Sequence, residues 1–154
     1  MAGSGGPELG TLLLRAESRL DAVAADREDA VRKAGAALLA GGAVAEGYTE
    51  AMLSRERSVS TFLGEGVAVP HGTLADRGLV RRDALVVLRL PAGVDWGGPR
   101  VDLVIGLAAR GAGQIALLSR LATVLLDPGR LTALRVAPDA AAVAELLAEA
   151  PSAD

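Results

Sequence analysis

Residues Phe62 to Thr73 read F-L-G-E-G-V-A-V-P-H-G-T. Phe62-Leu63 and Val67 to Val69 are short apolar runs suited to strands, and Gly64-Glu65-Gly66 between them is a turn. Pro70 has no N–H to give a ladder, so pairing ends there. His71 is thereby set at a strand end, where the backbone leaves the sheet. Gly72 permits an unusual backbone angle and close approach by another group. The chain has no other histidine and no cysteine, so His71 is the first place to look for chemistry near pH 7.

Upstream of this stretch the pattern is helical. Asp26 can cap a helix, and Glu28 and Asp29 fall in its first turn, where the helix dipole favours anions. Ala30, Val31, Ala34, Ala37 and Leu38 then recur at helical spacing, and Gly41-Gly42 stops the run. A second helix is predicted over Ala45 to Glu56, with Tyr48, Ala51 and Met52 as its inner stripe. Arg55 lies near its end, where a cation is favoured, so one reading of Arg55 is a helix-end charge. Leu12 to Val23 fits neither period cleanly and is assigned a short helix followed by a short strand near Ser18 to Leu20.

Downstream the pattern turns to strands. Ala84 to Leu90 and Val101 to Ala108 have few polar breaks and are expected as interior strands covered on both faces. Pro91 to Pro99, a turn-rich connection, holds the only tryptophan, Trp96. Ala112 to Leu126 is helical, with Ile115, Leu118, Leu121, Ala122 and Leu125 on one face. Asp127-Pro128 opens a short helix through Leu131 and Leu134, and Asp139 a last one ending near Leu147. The expected architecture is a single α/β domain over residues 11–150, a small sheet surrounded by helices. Residues 1–10 are expected as a disordered N-terminus and 151–154 as a tail.

The 154 residues are enough to bury a sizeable core; 51% are hydrophobic and only 2% aromatic, so that core is built from Ala, Val and Leu. A net charge of −3 argues against a dedicated nucleic-acid binder. Without cysteine there are no disulfides, thiolate zinc sites or thiol nucleophiles. The start has no basic region, Leu12 to Leu14 is too short for a signal core, and no run reaches the roughly 18 apolar residues of a membrane span. A soluble cytoplasmic protein without direct membrane insertion is expected.

A lone histidine is open to three roles without chemistry: a satisfied, partly buried residue, a turn residue, or an exposed position of no consequence. The flanks V-P-H-G-T add a fourth, an imidazole held by its backbone with one ring nitrogen free and the Thr73 hydroxyl two residues on. One histidine without D-x-H or H-x-H spacing supplies too few metal ligands, and no G-x-S-x-G elbow is present. Gly64-Glu65-Gly66 lacks the length and the lysine of a phosphate loop. Gly111-Ala112-Gly113 precedes a helix and can present N–H groups to an anion. No metal and no cofactor is expected.

The longer run Ala51 to Thr73, A-M-L-S-R-E-R-S-V-S-T-F-L-G-E-G-V-A-V-P-H-G-T, resembles the signature of the mannitol/fructose-type (type 2) enzyme IIA domain of the bacterial phosphoenolpyruvate-dependent sugar phosphotransferase system. Asp26 to Gly42 is similar to that family's first helix and Gly47 to Glu56 to its Y-x-x-A-M-L-x-R-E segment. Val101 to Leu126 is similar to its strand and helix with the sense V-I-G-I-A-A-R. The likeness covers about residues 18–148.

The resemblance implies an α/β fold with a small mixed sheet flanked by helices. It also implies that His71 accepts a phosphoryl group from the phosphocarrier protein HPr. The group then passes to a cysteine of a IIB domain, which phosphorylates sugar entering through a membrane IIC permease. Lacking cysteine, the chain is expected to be a free-standing IIA component acting through partners. Arg55 matches the R-E arginine and is expected to stabilise the phosphoryl group. Glu65 matches a glutamate in the L-G-E turn, orienting or steering, and Thr73 is a candidate orienting hydroxyl. Where the mannitol branch has a second histidine this chain has Gln114, whose amide can donate a hydrogen bond but cannot be cationic or carry a proton. The same histidine would also serve a regulatory IIA-like protein whose phosphorylation state controls a binding partner, or a binding module that has lost transfer.

Overall fold

The computed structural model describes residues 8–110 and 113–148, the side chains of residues 74 and 77 excepted. In chain order come α1 (Leu9–Leu12), a 3-10 turn (Arg15–Glu17), α2 (Arg27–Ala40), α3 (Tyr48–Ser58), β1 (Phe62–Gly64), β2 (Val67–Ala68) and a 3-10 segment (Leu74–Leu79). β3 (Ala84–Asp95), β4 (Arg100–Ala108), α4 (Gly113–Leu125), α5 (Pro128–Val136) and α6 (Ala140–Ala148) follow. The strands lie in the order β1-β2-β4-β3. β1–β2 and β3–β4 are antiparallel and the central β2–β4 pair is parallel. The sheet is mixed, as the family resemblance implies.

Successive side chains of a strand point to opposite faces, so a strand apolar at every position needs a layer on each side. Leu85, Val87, Leu103, Ile105 and Leu107 pack with Leu117, Leu121 and Val124 of α4 and with α1, α5 and α6. Ala84, Val86, Leu88 and Val104 pack with Ala30, Val31, Ala34 and Leu38 of α2 and with Tyr48, Met52 and Leu53 of α3. The outer edge of β3 is covered by the chain preceding α2. There Leu14 N donates to Leu85 O at 2.8 Å, Arg19 N to Val87 O at 2.9 Å and Ala22 N to Arg89 O at 2.9 Å. The strand expected near Ser18 to Leu20 is thus reduced to isolated parallel bridging.

The expected helix starts hold at three points: Asp26 Oδ1 accepts from Asp29 N at 2.8 Å, Asp139 Oδ1 from Ala142 N at 2.9 Å, and Asp127 is the N-cap before Pro128 at the start of α5. Elsewhere the structure corrects the expectation. α3 begins at Tyr48 and not at Ala45, because Gly47 takes φ 100°, a left-handed conformation through which no helix continues. β3 runs on to Asp95. Pro91 sits at a register shift between Arg89 and Val94, where no ladder hydrogen bond is asked of it. The turn shrinks accordingly to the residues around Trp96 and Pro99, closed by Trp96 N donating to Pro99 O at 2.7 Å. The buried face of α4 is Gln114, Leu117, Leu121, Val124 and Leu125, whereas Ile115 is 64% exposed. This helix is apolar nearly all round, so spacing alone selected a neighbouring stripe. Leu9 and Gly10, expected to be disordered, are buried in α1, where a Cβ on Gly10 would come 2.3 Å from Ala144 O. Residues 1–7 and the tail 151–154 lie outside the described residues.

α2 lies close enough to the sheet that a side chain on Gly106 has no room. A Cβ there would come 2.8 Å from Val86 Cγ1 and 3.1 Å from Ala34 Cβ. Valine cannot swing clear as a long side chain would. Gly106→Ala is therefore expected to lower stability by about 1–3 kcal/mol, as overpacking does. Urea unfolding of the two proteins checks this, and an unchanged midpoint would show that α2 yields freely.

Candidate functional site

β2 is short, but its direction is kept beyond Ala68 by β4. Leu107 N donates to Pro70 O at 3.0 Å, and His71 bridges Leu107 in parallel. His71 therefore stands at the C-terminal end of the parallel pair, 5% exposed. Its Nδ1 lies 2.7 Å from Val69 O. A carbonyl only accepts, so the proton sits on Nδ1 and Nε2 keeps its lone pair. Of the three roles without chemistry, exposure is ruled out by this burial. Among the described residues its hydrogen bond runs through Nδ1.

The residue after the histidine is held from two sides. Gly72 N donates to Tyr48 Oη at 2.9 Å, and Tyr48 Oη donates to Leu107 O at 2.9 Å. On the other side Gln114 Nε2 donates to Gly72 O at 2.9 Å from the first turn of α4. Burial pushes the Tyr48 pKa up to about 12, so its hydroxyl stays a donor at neutral pH. Gly72 does not have a positive φ, so the unusual angle that glycine permits is not used here. Glycine is required by contact instead, since a Cβ there would come 2.8 Å from Tyr48 Cε1.

Arg55, in the last turn of α3, donates to Val59 O at the end of its own helix, and its charge reaches His71. The reading of Arg55 as a helix-end cation holds, and its charge also disfavours protonation of His71. The Thr73 hydroxyl donates to Asp76 Oδ2 at 2.6 Å, and its N–H goes to the same oxygen at 3.1 Å. Its single hydroxyl hydrogen is thus committed to the 3-10 segment. Glu65 is not brought to His71. It occupies the β1–β2 turn beside the Asp102 and Leu103 end of β4, whereas His71 lies beside Leu107. Four strand residues, about 13 Å, separate the two levels. Of the Gly111-Ala112-Gly113 turn, Gly111 and Ala112 lie outside the described residues, and the Gly113 N–H goes to Arg110 O at 3.0 Å. Among the described residues no group of three or more His, Asp or Glu side chains could hold a metal ion.

Two residues escaped the sequence reading. Tyr48 looked like one more apolar residue of an inner stripe. Its signal was its place two turns before Arg55, on the same face of α3. Glu56 was read only as a helix end, yet it is 5% exposed. It accepts from Thr61 N at 2.8 Å, Thr61 Oγ1 at 2.5 Å and Trp96 Nε1 at 2.9 Å, tying α3 to β1 and to the β3–β4 hairpin. The spacing Tyr48–Met52–Glu56, four apart, puts a carboxylate on a buried stripe, and that was the signal.

Burial is the largest influence on His71 and disfavours the imidazolium, and the cation of Arg55 acts in the same direction. The Val69 carbonyl and Glu56 oppose them, and the net holds the pKa below the ordinary 6.5. The unfolded chain thus binds this proton more readily than the folded one. This group's effect on stability is absent well above about pH 6.5 and destabilising as pH falls from there through the folded pKa. With one histidine in the chain, NMR titration of the imidazole gives an isolated curve. Its midpoint is expected below 6.5 with the proton on Nδ1, and Arg55→Gln is expected to raise it. A midpoint that falls in the variant would contradict the assigned sign.

The model of the family described as "Phosphoenolpyruvate-dependent sugar phosphotransferase system, EIIA 2" matches residues 12–150. A multiphosphoryl transfer protein of Xanthomonas campestris is 46% identical over 130 residues, which cover 84% of this chain but only 16% of that protein. The mannitol-specific phosphotransferase enzyme IIA component of Staphylococcus aureus is 38% identical over 124 residues, covering 80% of this chain and 86% of its own. The crystal structure of IIA mannitol from Escherichia coli superposes with a TM-score of 0.79 at 38% identity, over 88% of this chain and 99% of that one. The E. coli protein has also been solved in complex with phosphorylated enzyme IIB, again with a TM-score of 0.79. Matched along nearly its whole described length in sequence and in fold, the chain belongs to the EIIA type 2 family of the phosphoenolpyruvate-dependent sugar phosphotransferase system.

Proposed function

We propose that the chain is a cytoplasmic phosphocarrier. It takes a phosphoryl group from phospho-HPr onto His71 and delivers it to a cysteine of a IIB domain, which serves a membrane IIC permease for a mannitol-, fructose- or polyol-like sugar. The observation that carries this reading is the hydrogen bond from His71 Nδ1 to Val69 O, 2.7 Å, which leaves Nε2 as the nucleophile. In the forward step the Nε2 lone pair forms the N–P bond while the donor's bond to phosphorus breaks and its electron pair stays on the donor. The ring gains cationic character as it does so, and the Val69 carbonyl is placed to share that charge. In delivery the thiolate sulfur attacks phosphorus, the N–P bond breaks and neutral imidazole returns. That bond is weak, so phosphoryl on nitrogen keeps a high transfer potential.

Arg55 repels a proton on the ring but attracts a phosphoryl group. A unit charge pair at 4 Å is worth about 4 kcal/mol at an effective dielectric of 20. The phosphoryl adds about two negative charges against one positive charge on the ring, so the arginine favours the loaded state. The Gln114 amide, which gives one hydrogen to Gly72 O, carries a second N–H for the phosphoryl oxygens. Thr73 orients the loop through Asp76, and Glu65 has no part at this distance. Phosphoenolpyruvate, enzyme I and HPr are expected to label the protein with an acid-labile, base-stable phosphate that then passes to a IIB domain. Label persisting in His71→Ala would overturn the assignment.

A further inference from the structure

We propose that Tyr48 and Gln114 act as a pair of positioning residues that clamp Gly72 and thereby fix where His71 presents Nε2. The proposal rests on His71 as the phosphoryl acceptor. Gly72 N–H belongs to the peptide that joins it to His71, and Tyr48 Oη accepts that hydrogen at 2.9 Å. Gly72 O belongs to the next peptide, and Gln114 Nε2 donates to it at 2.9 Å. Both peptide groups flanking the glycine are therefore tied to other elements, one to α3 and one to α4.

The need for such a clamp follows from the glycine itself. Gly72 is forced by the Tyr48 ring, whose Cε1 lies 2.8 Å from where a Cβ would stand. Yet glycine is the residue whose backbone turns most freely, and it adjoins the nucleophile. Tyr48 resolves the conflict that it creates, because the side chain that excludes a Cβ also holds the glycine N–H. Tyr48 is itself anchored, 1% exposed and donating to Leu107 O at 2.9 Å, and Leu107 is the residue that His71 bridges. The ring of His71 is held on its other side by Val69 O. With its Nδ1 end bonded and the following peptide pinned, the imidazole is aimed by backbone contacts.

Tyr48→Phe removes the bonds to Gly72 N and to Leu107 O, and Gln114→Met the bond to Gly72 O, each with little change of shape, and both are tested in the full chain with the double variant. Single-turnover transfer from phospho-HPr is measured against donor concentration, and the His71 ring nitrogens are followed by NMR. Each variant is expected to lower the saturating rate on the order of tenfold to a hundredfold, the scale of a misplaced reacting group. The half-saturating donor concentration stays unchanged, and the ring signals shift from the single Nδ1-protonated form. The double variant is expected to lose less than the product of the two, since both act on one glycine. Wild-type saturating rates with wild-type ring signals in the folded single variants would overturn the proposal, as would losses confined to the half-saturating concentration. If Tyr48→Phe does not fold, Gln114→Met decides by the ring signals of unphosphorylated His71, which loss of a contact to the phosphoryl group would not move. If the wild-type protein takes no phosphoryl group from HPr, the acceptor reading fails, and the ring signals of the variants still decide whether Gly72 is clamped.

Discussion

The site depends on the backbone of one residue, Leu107. Its N–H donates to Pro70 O at 3.0 Å and its carbonyl accepts from Tyr48 Oη at 2.9 Å. The first bond carries the parallel pairing past the end of β2, whose own ladder covers only Val67 and Ala68. The second brings the start of α3 to the same level of the sheet. Remove either and His71 has no defined place, because Pro70 offers no N–H with which to pair and Gly72 imposes no conformation of its own. β4 can bear this role because it is buried on both faces and paired on both edges. The rigidity of the site is borrowed from the most constrained strand of the molecule.

A second constraint is electrostatic, and its sign matters more than its size. Burial and Arg55 both keep the imidazole neutral. For a general acid that would be a handicap; for a nucleophile it is the useful state, since a protonated ring has no free lone pair. The same arginine opposes a proton and favours a phosphoryl group. Only a net negative adduct gains from Arg55, which separates a carrier from an acid–base catalyst at this position.

Much of this was legible in the sequence, where local chemistry and tertiary need agree. Asp26 and Asp139 cap as their types predict, and the run Ala84 to Leu90, apolar but for Arg89, reports a strand covered twice. His71 between Pro70 and Gly72 announces a strand end. The misreadings fall where one signal serves two structures. Pro91 ordinarily ends a strand, but a register shift accommodates it within β3. Ile115, Leu118 and Ala122 fit helical spacing as well as Gln114, Leu117 and Val124 do, and only packing chooses between them. Of the two freedoms that Gly72 offers, the structure uses the close approach, which the sequence reading named, and not the angle. Glu65 resembled a site residue by motif, but its distance follows from the direction of β2, which a motif does not record.

The placement of Gln114 bears on how a site can lose an imidazole and keep its geometry. A histidine at the start of α4 would bring a second titrating group beside the first, and each would depress the proton affinity of the other. An amide in that place has no such coupling and still donates. Here its recorded donation goes to the Gly72 carbonyl, a fixed backbone group, so it contributes order independently of pH. The cation that acts on His71 is Arg55, whose charge opposes protonation of the ring. A single titrating imidazole beside an amide has one protonation step to manage, and in the proposed carrier a phosphoryl group would meet the same surroundings on arrival and departure.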